Sequence, residues 1–352
     1  HVSDLHLTGS RASWRRARWV RSLAGAGADA VVLTGDNFGS PAGLAPLLSA
    51  LAPFLASPEF PLSPESLASP EPPSPEPFPP PGVEADGTFR AGNQPLASTP
   101  GSGRGGGLPG AFVFGSNDYY SGRVVNPLAY PARRLADSLA GRRAAPRSGD
   151  GSAGTGRHVP DLPTAQLRAA LLRGGWQDLN NARGRFRFPG VTLRLVGLDD
   201  PHIGRDRLPA APAVPSPGPL LPAGHAPRAH HAAAARPGDN PGSASEPPDV
   251  CLGIVHAPYR RALRALAGAG ARLILAGHTH GGQVCLPGHG ALVSNCDLPP
   301  ALASGLHHWP LGAEPGAQVW LHVSAGLGTS QYAPLRLACP PEATLLRLVS
   351  AR

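Results

Sequence analysis

The chain has 352 residues, a formal net charge of +8, 41% apolar residues, four Cys and no Met. That length holds one large domain or two small ones, and the apolar share is enough for a sizeable core. Gly (45) and Pro (44) together make up about a quarter of the residues, but the prolines cluster, which predicts a compact core with low-complexity inserts rather than a chain disordered throughout.

All 31 basic residues are Arg, spread along the chain without a dense run. The positive charge therefore does not point to a dedicated nucleic-acid surface, and nucleic acid is not expected as a partner. Cys251, Cys285, Cys296 and Cys339 contain no CxxC pair, so neither a zinc knuckle nor a redox motif is indicated, and reduced thiols of a cytoplasmic protein are expected. No apolar run reaches transmembrane length. The chain opens inside a motif, HVSDLHL, without a Met, which reads as a truncated N-terminus. A membrane anchor or signal segment would belong upstream.

In chain order, residues 1–5 read as the end of a strand. Residues 11–26, RASWRRARWVRSLAGA, fit a helix with Trp14, Val20, Leu23 and Ala24 on its inner face. Its Arg and Trp residues read as a solvated face, with weak peripheral contact to a membrane as the alternative. ADAVVLTGD is a buried strand ending at Asp36, and residues 41–55 suggest a second helix. Residues 57–107 are Pro-, Ser- and Glu-rich low complexity. AFVFGSNDYY resumes the strand pattern, a helical stretch covers 127–140, and 142–162 is loop-like. TAQLRAALLRGG is a short helix capped by Thr164 and closed by Gly174. GRFRFPGVTLRLVGLDD reads as a β-hairpin, and residues 208–248 form a second low-complexity insert. DVCLGIVHAPYRRALRALAGAG is strand, loop and helix, RLILAGHTHGG is strand and loop, and QVWLHVSAGLG and EATLLRLVS are late strands. Alternating strands and helices predict a single α/β domain over 1–352, interrupted by the two inserts.

Five strand ends carry chemistry. They are SDLH (3–6), TGDN (34–37), FGSND (114–118), VHAP (255–258) and GHTH (277–280). Each follows an apolar run and delivers Asp, Asn or His where an α/β sheet presents its ligands, beyond the carboxyl ends of strands. Singly, each is an ordinary turn, cap or surface pair; together they point to a metal site. Mixed imidazole and carboxylate with one amide suits borderline divalent ions such as Mn, Fe or Zn, whereas an all-oxygen set would suit Mg or Ca. Softer candidates are Asp199, Asp200 and His202, which read first as a turn and second as a lining of the site. Arg205 reads as a phosphate contact or as one of the many exposed Arg, Tyr119 and Tyr120 either flank substrate or cap the core, and His322 is structural or backs a ligand.

In this order the motifs resemble those of the calcineurin-like metallophosphoesterases, which carry D-x-H, GD-x-x-[DN], GN-H-[DE], a later His and GH-x-H. GHTHGGQ and the closing VSAGLGTSQYAPLRLACPPEATLLRL resemble the bacterial YkuE/YaeI-type branch. The resemblance covers the chain apart from the two inserts. It implies a four-layer α/β/β/α sandwich of two mixed sheets flanked by helices. It also implies two divalent ions, one held by Asp4, His6, Asp36 and His280 and the other by Asp36, Asn117, His256 and His278, with Asp36 bridging. His278 and His280 would then face different ions, with Gly277, Gly281 and Gly282 letting the backbone pass close. Two ions ~3.5–4 Å apart deprotonate a bridging water and clamp phosphoryl oxygens, so hydrolysis of a phosphodiester or pyrophosphate needs no protein nucleophile. Expected substrates are a small phosphoester, a nucleotide or a lipid pyrophosphate, and the branch implies a cytoplasmic or membrane-peripheral location. A phosphomonoesterase or nucleotidase on the same scaffold is the nearest alternative, and a nuclease is favoured only by the basic charge.

Two departures stand out. GDNFG ends in Gly39 where the family has Asp or Asn, leaving Asn37 as the nearest substitute. GSND places Asp118 where the family has a His after the Asn. Asp118 is accordingly a catalytic candidate of altered character, expected to be ionised and to act as an orienting acceptor, and it raises a further reading of a metal-binding protein with weak catalysis.

Overall fold

The computed structural model describes residues 1–56, 107–121, 162–211, 249–310, 318–330 and 335–349. The expected helix over 127–140 and nearly all of both inserts and of the 142–162 loop lie outside the described residues.

Two sheets of different character form the frame. The smaller is parallel, in the order β1 (Val31–Leu33), β2 (Gly110–Phe112), β3 (Gln177–Asp178). The larger has six strands in the order β10 (Gly305–Trp309), β11 (Val319–Val323), β7 (Leu273–Ala276), β6 (Asp249–Ile254), β5 (Val191–Gly197), β4 (Arg183–Phe188). Its four inner strands run parallel, and its outermost pairs, β10–β11 and β4–β5, are antiparallel. The uniform burial of β1 and β7 follows from sequence: VVL and LILA are continuous apolar runs with no polar face to give to water. A two-stranded ribbon, β8 (Cys285–Leu286) with β9 (Gly290–Ala291), lies apart from both sheets.

Among the described residues, three apolar clusters tie these sheets to five helices. The first joins β1 and β2 to α1 (Arg11–Ser22), α2 (Leu44–Leu51) and α4 (Thr164–Arg173) through residues such as Leu33, Phe112, Val20, Leu47 and Leu167. The second joins the opposite set, β5, β6, β7 and β11, to α5 (Arg260–Gly268) through Val196, Cys251, Ile274, Leu321, Leu263 and Leu266. The third contains residues of both sheets, among them Val32, Ala111, Leu195, Leu252 and Leu275. The protein is thus mixed α/β. The remaining helix, α3 (Ser116–Tyr119), is one short turn directly after β2.

Local chemistry explains most of the elements and some differences from expectation. In α1 the Ser10 hydroxyl accepts from Ser13 N at 3.3 Å, and the buried face is Ser13, Ala17 and Val20, spaced as one helical stripe. Ala24, expected inside, is exposed, because the helix has tightened into a 3-10 turn by Leu23. Arg11, Arg15, Arg18 and Arg21 are exposed, while Arg16 turns inward and donates to Leu5 O at 2.8 Å. Thr164 does not cap α4. It is the first helical residue, Pro163 occupies the cap, and its hydroxyl donates instead to Asp118 O. EATLLRLVS does not form a strand over its described residues; Leu345, Leu348 and Val349 are exposed. No described helix is long and apolar enough to cross a membrane, and all four cysteines are free.

Candidate metal centre

The five motifs converge from both sheets. SDLH follows a bridge from Val2 to Leu33 in β1, TGDN follows β1 and FGSND follows β2; VHAP and GHTH follow β6 and β7 of the larger sheet. The backbone there is unusual. Nine non-glycine described residues have positive φ, and five of them are Asp4 (53°), His6 (43°), Asp36 (54°), His278 (71°) and His280 (52°). Each such residue costs about 1 kcal/mol or more. Strain gathered at one point requires surroundings that enforce it, and close backbone approach supplies them. A Cβ at Gly277 would overlap the Ser3 hydroxyl, and one at Gly115 would meet His256 Nε2 at 2.6 Å. Gly281 and Gly282 serve a different neighbourhood from the one expected. They back onto Cys339 and Ala291, not onto the ligand atoms.

The side chains form two triads, Asp4–His6–His280 and Asp36–His256–His278. Within each, the candidate ligand atoms lie within 4.8 Å of one another, and all six residues are buried. Asp36 also stands between the triads: its Oδ2 lies 3.6 Å from His6 Nε2 and its Oδ1 3.4 Å from His256 Nε2. Asn117 joins through Asp36, donating from its backbone N to Oδ1 (2.8 Å) and from Nδ2 to Oδ2 (2.7 Å). His278 and His280 point into different triads, so the single-residue spacer separates the two halves.

The hydrogen bonds behind the rings decide what the front nitrogens can do. A carbonyl only accepts, so a ring nitrogen bonded to one must carry the proton. His256 Nδ1 is bonded to Thr34 O (2.7 Å), which fixes its proton. His278 Nε2 faces Asn295 O (3.1 Å) and, farther, Asn295 Nδ2 (3.4 Å), and His280 Nδ1 faces Gly328 O (3.3 Å) and, farther, Arg336 Nη2 (3.4 Å), so the nearer carbonyl favours the same arrangement in both. The free nitrogens then face each other: His278 Nδ1 is 3.3 Å from His256 Nε2, and His280 Nε2 is 3.0 Å from His6 Nε2. Once His256 gives up its second proton, lone pairs on four buried imidazoles converge, three of the rings facing carbonyls behind, and form a donor set that suits a cation. The two Asp/His groups can therefore hold metal ions. Among these rings, only His6 has its rear nitrogen, Nδ1, buried without a partner.

Electrostatics without a cation are unsettled in the manner of a ligand cluster. Burial works against the charges of Asp36 and His256, but their mutual attraction and hydrogen bond prevail. Asp36 is held well below the usual carboxylate range and His256 well above the usual imidazole range. Burial pushes Asp4 up to about 6 and His6 down to about 4. His278 and His280 are driven well below the ordinary imidazole value by burial and by their neighbours, His202 and His256 for the first, His6 and Arg336 for the second.

Asp118 is a brace behind the ligands. Its Oδ2 accepts from Asp36 N (2.8 Å), Gly115 N (3.0 Å) and Asn37 Nδ2 (3.2 Å), and its Oδ1 accepts from Asn37 N (2.8 Å). These bonds turn the carboxylate toward the TGDN backbone, which places it as the orienting acceptor expected from sequence, on the Asp36 loop. Burial pushes its carboxyl up to about 7, with Asp36 adding to the shift, so the ionised state expected from sequence is opposed in the metal-free protein. Asn37, the substitute considered for Gly39, is Asp118's partner.

The softer candidates separate. Tyr119 is buried in the core and donates to Asp199 Oδ1 (2.8 Å); Tyr120 packs against the same core cluster. Arg205 pairs with Asp199 (2.7 Å) and lies 4.2 Å over the Tyr119 ring, so its charge is already engaged. His322 contacts His1 (2.9 Å between Nδ1 atoms) and backs no ligand directly. Residues 200–204 form a turn, as preferred, yet the turn brings the His202 ring to 4.5 Å from that of His278. Sequence reasoning missed Ser3, which donates to Asp4 Oδ2 (2.5 Å), and Arg336, whose Nη2 lies 3.4 Å from His280 Nδ1 and also donates to Ala325 O. Ser3 adjoins a motif Asp and could have been found that way; Arg336 had no signal in so Arg-rich a chain.

Searches of protein-family models, curated proteins and solved structures find no match to this chain.

Proposed function

We propose that this protein is a metal-dependent phosphoester hydrolase of the calcineurin-like metallophosphoesterase kind, acting on a phosphodiester or pyrophosphate bond. The observation that carries the reading is the pair of buried triads meeting at Asp36, delivered by the carboxyl ends of strands from two sheets. The four-layer sandwich belongs to the same proposal. The three apolar clusters, helix with small sheet, sheet with sheet, and large sheet with helix, support it.

Two divalent ions, when bound, supply Lewis acidity toward phosphoryl oxygens and lower the pKa of a water. Asp4, His6, His280 and Asp36 would hold one, and Asp36, His256, His278 and Asn117 the other. The rest falls to the chain. Thr34 O, Asn295 O and Gly328 O keep the ring protons on the outer nitrogens. Asn117 and Asp118 fix the two faces of the Asp36 loop, and Ser3 fixes Asp4. Such preorganisation is what an electrostatic catalyst requires, since the donors do not reorganise during the reaction.

The test is hydrolysis of bis(4-nitrophenyl) phosphate by Mn-loaded protein, alongside metal analysis. The proposal expects about two ions per chain and turnover abolished by chelation. Two ions with no turnover on phosphodiesters, nucleotides or lipid pyrophosphates would favour the second reading, a metal-binding protein with weak catalysis. One observation supports that alternative: the slot after Asn117 holds a carboxylate turned onto backbone N–H groups.

A further inference from the structure

The turn after β5 carries an imidazole that the metal ligands do not use. His202 sits in the short 3-10 turn Pro201–Ile203. Four contacts hold that turn: Asp200 Oδ1 accepts from His202 N (2.8 Å), Asp200 O accepts from Arg205 N (3.0 Å), and Arg261 Nη2 donates to Pro201 O (2.7 Å) and pairs with Asp206 (2.7 Å). The His202 ring packs on His278 with 4.5 Å between centroids, and its Nδ1 lies 3.0 Å from Tyr259 OH. Tyr259 itself follows His256 by three residues and stands at the start of α5. His202 Nε2 has no hydrogen-bond partner among the described residues and is not among the fully buried unpaired atoms, so this half-buried ring keeps one nitrogen uncommitted beside the Asp36 triad. A ring with one nitrogen engaged and the other unpaired, beside a triad that could hold a cation, is placed to meet an anion that such a cation would attract.

We infer that His202 is a substrate-contacting residue, whose Nε2–H donates a hydrogen bond to a phosphoryl oxygen, with Tyr259 as the positioning residue that donates to Nδ1. No proton is transferred; the bond strengthens as negative charge grows on that oxygen. The tautomer with its proton on Nε2 is the one an anion stabilises, and Tyr259 is in place to satisfy the nitrogen left bare. This inference rests on the phosphoester reading for its substrate class, not for its geometry.

The experiment uses the Zn-loaded full chain with two probes, inorganic phosphate for binding and bis(4-nitrophenyl) phosphate for turnover. His202→Leu should keep two ions and lose about 10- to 100-fold in phosphate affinity and in kcat/KM, the range of a hydrogen bond to a charged group. His202→Gln, whose amide N–H can take the place of Nε2–H, should restore most of that loss; a merely structural role predicts no such rescue. Nitrogen NMR of the wild-type ring should show the proton on Nε2 with phosphate bound, and Tyr259→Phe should weaken that preference. A proton confined to Nδ1, or His202→Leu behaving as wild type with both probes, overturns the inference while leaving the hydrolase reading intact. If the wild type hydrolyses no phosphodiester, nucleotide or lipid pyrophosphate but His202→Leu still weakens phosphate binding, the hydrolase reading falls and His202 stands as an anion contact. If the wild type neither binds nor hydrolyses, both fall.

Discussion

The Asp36–His256–His278 and Asp4–His6–His280 triads each combine one carboxylate with two imidazoles, but they are backed differently. Behind the first, Thr34 O and Asn295 O hold both rings, and Asn117 donates twice to the carboxylate. Its charge is balanced internally by the Asp36–His256 ion pair. Behind the second, Ser3 and His278 N donate to Asp4 and Gly328 O holds His280, but His6 Nδ1 is left without a partner. Asp4 has no such partner within its own triad: His256 pulls its carboxyl down from the other triad, but burial prevails and pushes it up to about 6. An ion arriving at one triad would therefore displace a proton from His256, and at the other would add positive charge beside a carboxylate whose ionisation burial opposes. The same ligand types can in this way give two sites that differ in rigidity and in proton competition.

The largest effect that tests this comparison comes from removing what the triads share. Asp36→Asn should lower bound metal from about two ions per chain to near zero, because its two oxygens face different triads. The metal-free variant should also lose roughly 3 kcal/mol, since His256 then loses its nearest buried counter-charge and keeps only the weaker pull of Asp200 and Asp4. Metal analysis and denaturant unfolding read these two results separately. Two ions retained by the variant would show that the triads are independent. Next in size, His280→Ala and His278→Ala should each leave about one ion, in opposite triads, which spectroscopy of a Co-substituted protein distinguishes by geometry.

Proton competition sharpens the contrast. Metal binds the deprotonated ligands, so affinity rises with pH wherever a ligand still holds a proton. At the second triad only Asp4 competes, and its affinity should level off as pH rises past about 6; His6, lowered to about 4, is already neutral. At the first triad His256 stays protonated above the ordinary imidazole range, so affinity should keep climbing above pH 7. Calorimetry in buffers of different ionisation enthalpy should show proton release persisting at pH 7.5 for one ion and not for the other. Equal proton release for both ions at that pH would remove the distinction.

Much of this centre was legible because it is written in short apolar runs that stop at glycine. The apolar runs of β1 and β7, each closed by a glycine motif, read as buried strands, and their ends carry TGDN and GHTH. What was not legible is the side of the backbone on which each partner lies. Thr34 O, Asn295 O and Gly328 O are main-chain atoms with no signature in residue type. The slot of Asp118 fixes its Cα, not the direction of its carboxylate. The local pattern offered a hint, since an acidic residue three positions after Gly115 at the start of α3 can fold back onto that residue's N–H, as it does at 3.0 Å. The late strand at EATLLRLVS was overread for the opposite reason: apolar content without a partner strand to bury it.

Asp118→Asn should have a smaller effect than any ligand change. The replacement puts an NH2 group against at least one of the N–H donors that now bond to the carboxylate, which costs about 1–3 kcal/mol of stability. Bound metal should remain near two ions, with affinity reduced by no more than about tenfold, toward the low end for groups that orient ligands. Thermal unfolding and metal titration of the one variant check both. Complete loss of metal with a folded chain would place the carboxylate among the ligands and not behind them.

The smallest effect should follow the largest change in the chain, removal of residues 60–104. The described residues on either side of this segment lie against each other. Ala56 N donates to Gly174 O (2.9 Å), and a Cβ at Gly107 would collide with the Leu55 carbonyl carbon, so the chain leaves and re-enters the fold at nearly one point. Neither end belongs to a triad, and both pack on the helical side of the small sheet, where Leu55 joins the cluster with Leu167 and Leu171. Closing that gap with a short flexible linker needs no rearrangement of the ends, and the entropy of loop closure changes only slowly with loop length, about 0.6 kcal/mol per doubling. The shortened protein should keep two ions per chain, unchanged proton release, and a melting temperature within a few degrees of the full chain. Intact metal content with lost turnover would instead give the Pro-rich segment a part in engaging substrate. Loss of one ion would show that the segment reaches the triads, and would break the comparison on which the other tests rest.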